Sequence, residues 1–417
     1  MKIAYCALGD KRQTLIKTVF MPNSMLTRQL SADFVKSAKA AVANATLLTS
    51  PAIEEMLHKC SEAPAIGIDT EFVRERTFYP RPGLVQISNG RQVWLLDAVA
   101  VESSPLLGEL LDSKATTKIL HSVGEDLEIL RMVGGRWPQK LFDTQVAAAM
   151  LGQPLQIRYE SLAALVLGIE PDGGRARSNW RKRPLAPELL QYAAEDVIWL
   201  PALKDRLSEL LEQAGRLDWL REDCRRLVER ARAGDTTPPI TRVKGAGRLP
   251  TADLAFVDAL SRWRESMARQ RDLPRRFVLG DDTLLDFARL AAAGRFGQAL
   301  GKLTPKQRRS YSETLEKAVG SVNPDRFQLP ATLRPFSPEE REQLRTAQKI
   351  VRDVAARLEV EPALLASKRE LARLVRGEYP DWLHGWRKDI LSDPLRAASV
   401  NISDLAETNR SPGSSAG

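Results

Sequence analysis

Ala65-Ile-Gly-Ile-Asp-Thr-Glu-Phe72 is the stretch on which the reading of this chain turns. A short apolar run that carries two acids predicts a strand. Residues i and i+2 of a strand face the same way. Asp69 and Glu71 are therefore expected side by side at a sheet surface, with nothing local to neutralise them. Two readings are open. The pair is a solvated strand end, or it is a site for hard divalent cations such as Mg²⁺ and Mn²⁺, which take oxygen ligands.

Working outward, Gly83-Leu-Val-Gln-Ile-Ser88 and Val93-Trp-Leu-Leu-Asp97 flank Asn89-Gly90, a strong hairpin signal. Lys118-Ile-Leu-His121 is a fourth strand. Helices are expected at 126–133 and 144–151, and one long helix from 187 past 211. On the other side, Ser50-Pro51 caps a helix that runs through His58. Residues 46–215 thus predict a mixed α/β domain. Residues 1–45 hold no period for long and are expected as a loose extension with one short helix near 31–43. Residues 216–240 read as a helical connector that turns into a polar linker at Gly234-Asp-Thr-Thr-Pro-Pro239. Beyond it the signal is helical, with Leu344, Ala347, Val351, Val354 and Leu358 at three- and four-residue steps. Two segments, 241–325 and 326–400, share spacings. Ala268-Arg269 precedes Pro274 as Ala356-Arg357 precedes Pro362, and Leu279 precedes Leu285 as Leu365 precedes Leu371. The tail 401–417 is expected to be disordered.

The 417 residues carry 62 Lys and Arg against 53 Asp and Glu, so a polyanionic partner suits the net charge of +9. Cys6, Cys60 and Cys224 are scattered and form no CxxC, which excludes a disulfide framework and a structural zinc site. Uncharged runs fall short of the ~20 residues of a membrane span. Charges at Asp10, Lys11 and Arg12 follow the apolar start too soon for a signal-peptide core. A reducing, cytoplasmic setting is expected.

Three more sets of residues bear on chemistry. In Tyr192-Ala-Ala-Glu-Asp196, Tyr192 and Asp196 share a helix face, and a partly buried Asp needs a partner or a metal. His121-Ser-Val-Gly-Glu-Asp126 leaves a strand and enters a helix, so Asp126 is either a first-turn acid favoured by the helix dipole or a further metal ligand. His121 is either a strand-end residue or a phosphate contact. Asp143 is assigned to capping. The loop Gly173-Gly-Arg-Ala-Arg-Ser-Asn-Trp-Arg-Lys-Arg183 is read as phosphate-contacting through Arg175, Arg177 and Arg181, with Trp180 as a base-stacking platform. The alternative is a solvated surface loop.

Taken in order, Asp69-x-Glu71, Asp126 and Tyr192-x-x-x-Asp196 resemble the DEDDy 3′–5′ exonucleases of the ribonuclease H-like fold. The closer resemblance is to the ribonuclease D family. It is carried by Asp69-Thr-Glu-Phe-Val-Arg-Glu-Arg-Thr-Phe-Tyr-Pro80, by His121–Leu130 with Phe142-Asp-Thr-Gln145, and by Trp180, Arg183-Pro-Leu185 and Tyr192-Ala-Ala-Glu-Asp-Val197. Trp263-Arg264, Leu273-Pro274, Asp282 and Gly385-Trp386-Arg387 are similar to the HRDC modules of that family. Ser178-Asn179 stands where the family more often has an acid before the Trp. The resemblance implies an α/β ribonuclease H-like exonuclease domain followed by two all-α HRDC domains. It implies that Asp69, Glu71, Asp126 and Asp196 hold two divalent cations, Mg²⁺ or Mn²⁺, with Tyr192 as the fifth catalytic residue. It further implies an exoribonuclease that acts on RNA, tRNA precursors among its substrates. The alternatives are a DNA exonuclease, since HRDC modules also occur in RecQ-type helicases, and an inactive RNA-binding protein. No GxxxxGK[ST] loop is present, which excludes a helicase of that type.

Overall fold

The computed structural model describes residues 23–48, 52–101, 103–175, 177–378 and 382–400. The Ser50-Pro51 cap and the 401–417 tail lie outside them. The chain forms two compact units. One comprises residues up to Val73, Arg81–Gly234 and the chain from Gln343; the other comprises Arg74–Pro80 and Asp235–Glu342.

The first unit is built on a six-stranded mixed sheet: β1 (Leu47–Leu48), β2 (Ala65–Val73), β3 (Arg81–Ser88), β4 (Val93–Asp97), β5 (Thr117–Leu120) and β6 (Leu141–Asp143). Its order is β1-β4-β3-β2-β5-β6. β2 pairs antiparallel with β3 and parallel with β5, so the acid-bearing strand is interior. The expected hairpin is β3–β4. Asn89 Oδ1 accepts from the Arg91 and Gln92 amides at 3.0 and 2.9 Å, and Gly90 takes φ +85°. Pairing shifts register between Glu71 and Phe72, since Glu71 faces Leu84 and Phe72 faces Pro82. This bulge lies beside the acids, and bulges re-aim side chains.

The long helix expected from 187 is two helices, Pro187–Ile198 and Leu200–Gln213. Pro201 has no N–H to give to the Val197 carbonyl, so the first helix stops and Pro opens the second. The break docks on β2. A Cβ on Gly67 would meet Val197 O at 2.7 Å and Leu200 Cβ at 2.8 Å, so only glycine lets the helix end sit there.

The described part of the N-terminal segment is packed, contrary to the loose extension expected. Ser31 Oγ caps the helix Ala32–Ala43 by accepting from the Phe34 amide, and Leu26 is fully buried. The Arg28 amide donates to Val166 O at 2.7 Å and Thr27 Oγ1 to Leu165 O at 2.9 Å. Residues from Gln343 also join this unit. Arg387 pairs with Asp223 of the helix Leu217–Ala233 through both guanidinium nitrogens. Trp386 stacks on Trp219 at 4.5 Å.

The second unit is helical: Thr251–Arg271, Arg275–Val278, Asp281–Ala292, Phe296–Gly301 and Pro305–Gly320. Its core holds Leu260, Trp263, Phe287 and Leu315, and Trp263 Nε1 donates to Thr314 Oγ1 at 3.0 Å. Phe327, Leu329 and Leu333 pack on the same core, so this unit runs past the 325/326 division expected from sequence. The shared spacings correspond to a shared element order. Helices Thr251–Arg271 and Pro338–Leu358 both span 21 residues. Each is followed by a left-handed residue, Asp272 at φ +51° or Glu359 at +55°, and then by a four-residue helix.

Candidate active site

β2 presents Asp69 and Glu71, and the helix Pro187–Ile198 presents Tyr192 and Asp196. Carboxylate oxygens of Asp69, Glu71 and Asp196 all lie within 4.8 Å of one another. Asp126 opens the helix Asp126–Gly134 and stands just outside this trio, where its Oδ1 accepts from Thr70 Oγ1 at 2.5 Å. Asp69, Glu71 and Asp196 border an open cavity of about 400 Å³, whose lining also includes His121, Tyr159, Glu160 and Tyr192.

Burial and mutual repulsion act together on these acids. Burial, then the fields of Asp196 and Asp126, push Glu71 up to about 9. Burial raises Asp196 to about 7 against the donated Tyr192 hydroxyl bond. Burial raises Asp126 to about 6 against the Thr70 bond. Asp69 is raised by burial and by Asp126, Asp196 and Glu71 in turn. Burial, followed by the charges of Asp196 and Glu71, raises the Tyr192 phenol as well. The phenol is therefore a donor to Asp196 and no base at neutral pH. An all-oxygen donor set with unbalanced negative charge fits hard divalent cations and suits no soft metal. Asp69, Glu71 and Asp196 are placed to hold them directly, with Asp126 beside.

Of the other sequence-predicted residues, His121 lines the same cavity, while Trp180, Arg175, Arg177 and Arg181 lie outside its lining. Trp180 is fully buried and lies 6.1 Å from the Tyr192 ring, so it is no base-stacking platform. Its partners, Leu84, Leu95 and Tyr192, are distant in sequence, which hid its role. His121 is engaged by the scaffold. Its Nε2 donates to Ile157 O at 3.0 Å, and Nδ1 accepts from Thr144 Oγ1 at 2.9 Å. Burial lowers its pKa, and both ring nitrogens already have partners in the scaffold. Arg181 Nη1 donates to Pro82 O at 2.6 Å and Arg183 Nη2 to Gly83 O at 2.8 Å, so both tie down the β3 end of the bulge. Arg183 also pairs with Asp97. Arg175 and Arg177 remain exposed, and Gly174 beside them lines the cavity. Asp143 caps the helix Thr144–Met150 as expected, and its other oxygen accepts from Val123 N at 2.9 Å.

Four residues that sequence reasoning passed over complete the site. Gln86 Nε2 donates to Asp69 Oδ2 at 3.3 Å. Its register opposite Asp69 is the signal that the hairpin offered. Thr70 holds Asp126. Tyr159 donates its hydroxyl to Glu195 O at 2.8 Å. Glu195 Oε2 accepts from the Asp172 amide at 2.7 Å and anchors the start of the basic loop.

Among known families, a 3′-5′ exonuclease model matches residues 44–212 and an HRDC domain model matches 253–315. The chain is 33% identical over 368 residues to ribonuclease D of Pseudomonas paraeruginosa, covering 84% of this chain and 98% of that one. It is 30% identical to ribonuclease D of Escherichia coli, with 84% and 96% covered. The crystal structure of Escherichia coli RNase D, an exoribonuclease involved in structured RNA processing, aligns with a TM-score of 0.75 at 29% identity. That alignment covers 85% of this chain and 98% of the other.

Proposed function

The chain belongs to the ribonuclease D family, and from that premise we propose that it removes nucleotides one at a time from RNA 3′ ends, tRNA precursors among them. The observation that carries the chemistry is the trio of carboxylates within 4.8 Å, with Asp126 alongside. Asp69, Glu71, Asp126 and Asp196 would hold two divalent cations, Mg²⁺ or Mn²⁺. Bound there, such ions supply hydroxide near neutral pH and stabilise the charge growing on the leaving 3′ oxygen.

The chain's own residues prepare that step. Gln86 and Thr70 orient two of the acids by hydrogen bonds. Tyr192 keeps its proton and turns its hydroxyl toward Asp196, where it can orient the attacking water. The open cavity admits a single-stranded end, and the exposed Arg175 and Arg177 are placed to meet backbone phosphates. The helical unit would hold the structured part of the RNA. We read the helices from Pro338 onward, within the expected 326–400, as a divergent second HRDC copy, supported by their element order. Among the described residues no helix is long and apolar enough to cross a membrane, and we place the activity in the cytoplasm.

The test is a 5′-labelled RNA with a single-stranded 3′ tail. A ladder that shortens from the 3′ end with Mg²⁺ or Mn²⁺ and stops with EDTA is expected. A labelled RNA left intact with either metal would refute the reading. Equal shortening of a matched DNA would refute the RNA preference.

A further inference from the structure

The chain leaves β2 at Val73 and returns to β3 at Arg81, and the seven residues between belong to the helical unit. Glu71 stands three positions before that segment. Phe78 is buried in the helical core. The guanidinium groups of Arg269 and Arg275 each lie over its ring, 4.9 Å from the centroid. Glu265 holds both arginines in place, accepting from Arg269 Nε at 3.0 Å and Arg275 Nη2 at 2.9 Å. The Phe78 and Tyr79 amides both donate to one oxygen, Asp272 Oδ1, at 3.0 and 2.9 Å.

Asp272 is an odd choice for its own position. It caps the C-terminus of the helix Thr251–Arg271 in the left-handed region at φ +51°. Glycine or asparagine suits such a cap, and a negative charge there opposes the helix dipole. The two accepted amide bonds account for a carboxylate at that point. Capping alone does not.

We propose that Asp272 and Phe78 form a latch that positions the catalytic strand. By holding residues 74–80 in one conformation, Asp272 and Phe78 restrain the chain where it leaves the strand that carries Asp69 and Glu71. They thereby act on the reaction through the chain itself, in addition to any hold on RNA. Asp272 and Phe78 are positioning residues, and the proposal rests on the nuclease reading above.

A matched pair of variants tests it. Asp272→Gly keeps the left-handed cap and deletes the acceptor. Asp272→Asn keeps both. In metal-free protein, Asp272→Gly should speed amide exchange over residues 69–80 about tenfold or more, since each lost bond to a charged group is worth about a factor of ten. Its half-saturating Mn²⁺ should rise, and kcat on a short single-stranded RNA should fall about tenfold with KM within about twofold. Asp272→Asn should restore all three. Wild-type exchange and kcat in Asp272→Gly would overturn the latch, as would an Asn variant no better than Gly. Should Asp272→Gly fail to fold, Phe78→Leu keeps the buried bulk, loses the ring that meets the two guanidinium groups and must move the same readouts in the same direction. A wild-type protein without metal-dependent shortening would instead refute the nuclease reading. An active wild type matched by Asp272→Gly would refute the latch alone.

Discussion

Two groups of acids in the sheet unit, one buried and one mostly half-buried, face opposite surroundings. Asp97 and Asp223 are 5% and 8% exposed, and each meets a guanidinium, Arg183 or Arg387. Asp69, Glu71, Asp126 and Asp196 meet one another. The first group is neutral as built and serves the fold. The second is left with a charge that the fold does not balance, which is how a cation site looks before its cation is considered. The same residue types thus divide by partner into structure and chemistry.

The largest expected effect breaks the second group. Asp69→Asn or Asp196→Asn should lower kcat on RNA at least about a hundredfold, because charge stabilisation in the transition state is lost. Either change also removes one charge from a repelling cluster. Metal-free thermal unfolding should therefore move up, opposite to the usual outcome of a buried polar substitution. Near-wild-type turnover with saturating metal would show that the trio is not the catalytic centre.

Breaking the first group should do the reverse. Arg387→Met removes the two-nitrogen partner of buried Asp223 and leaves it Arg226 at 3.9 Å and the Trp386 Nε1 bond, so the cost should reach at most about 3–5 kcal/mol, that of a fully broken buried pair. Urea unfolding should register it, while turnover per folded molecule stays at the wild-type value. A second change, Asp223→Leu, should recover part of the loss, since an apolar pair of similar volume tolerates burial. A double variant less stable than the single would mean that Trp386 and the Leu364 carbonyl, which also contact this pair, dominate the site.

pH sharpens the contrast, because Asp97 is shifted in the direction opposite to Glu71 and Asp196. Glu71 and Asp196 titrate near 9 and 7 in the fold, above ordinary carboxylates, so the folded metal-free protein keeps protons that the unfolded chain has released. Their contribution is therefore full at low pH and is lost as pH rises through those values. Asp97 is depressed, with burial opposed by the Arg183 hydrogen bond and backbone amides. Its contribution is full above the ordinary carboxylate range and is lost as pH falls below it. Melting temperatures in EDTA should thus decline from pH 5 to 9, and the gap between Mg²⁺ and EDTA curves should widen over the same range. A constant gap would mean that Mg²⁺ meets carboxylates already ionised at pH 5. Glu71→Gln should flatten the EDTA curve.

Much of this was legible because the relevant periods are local. Asp69 and Glu71 follow from the two-residue strand repeat, and Tyr192 and Asp196 from one helical turn. What stayed hidden depends on partners far along the chain. Asp272 lies 194 residues from Phe78. Trp180 in a basic loop looks like a platform until Tyr192 and β3 close over it. The N-terminal segment is held partly by bonds to the Leu165 and Val166 carbonyls, which leave no period in the sequence. Pro201 did signal the helix break, and the apolar run around it masked the signal.

The smallest expected effect divides the basic loop itself. Its end is tied down by Trp180 burial and by Arg181 and Arg183 on the Pro82 and Gly83 carbonyls. Its start is held by Glu195 through the Asp172 amide. Between these anchors Arg175 and Arg177 are exposed, next to a glycine that lines the cavity. Each phosphate contact on a single strand contributes about 0.7 to the slope of log affinity against log salt. Arg175→Ala with Arg177→Ala should therefore reduce that slope by about 1.4 and leave unfolding unchanged. Trp180→Leu should act the other way, lowering stability by about 3 kcal/mol through a lost aromatic core contact while the slope holds. If the double arginine variant kept the wild-type slope, the exposed half of the loop would be solvated surface, and RNA would have to be held by cations elsewhere. If Trp180→Leu changed the slope without changing stability, the ring would be reaching RNA from a position that buries it completely, which its packing against Tyr192 forbids.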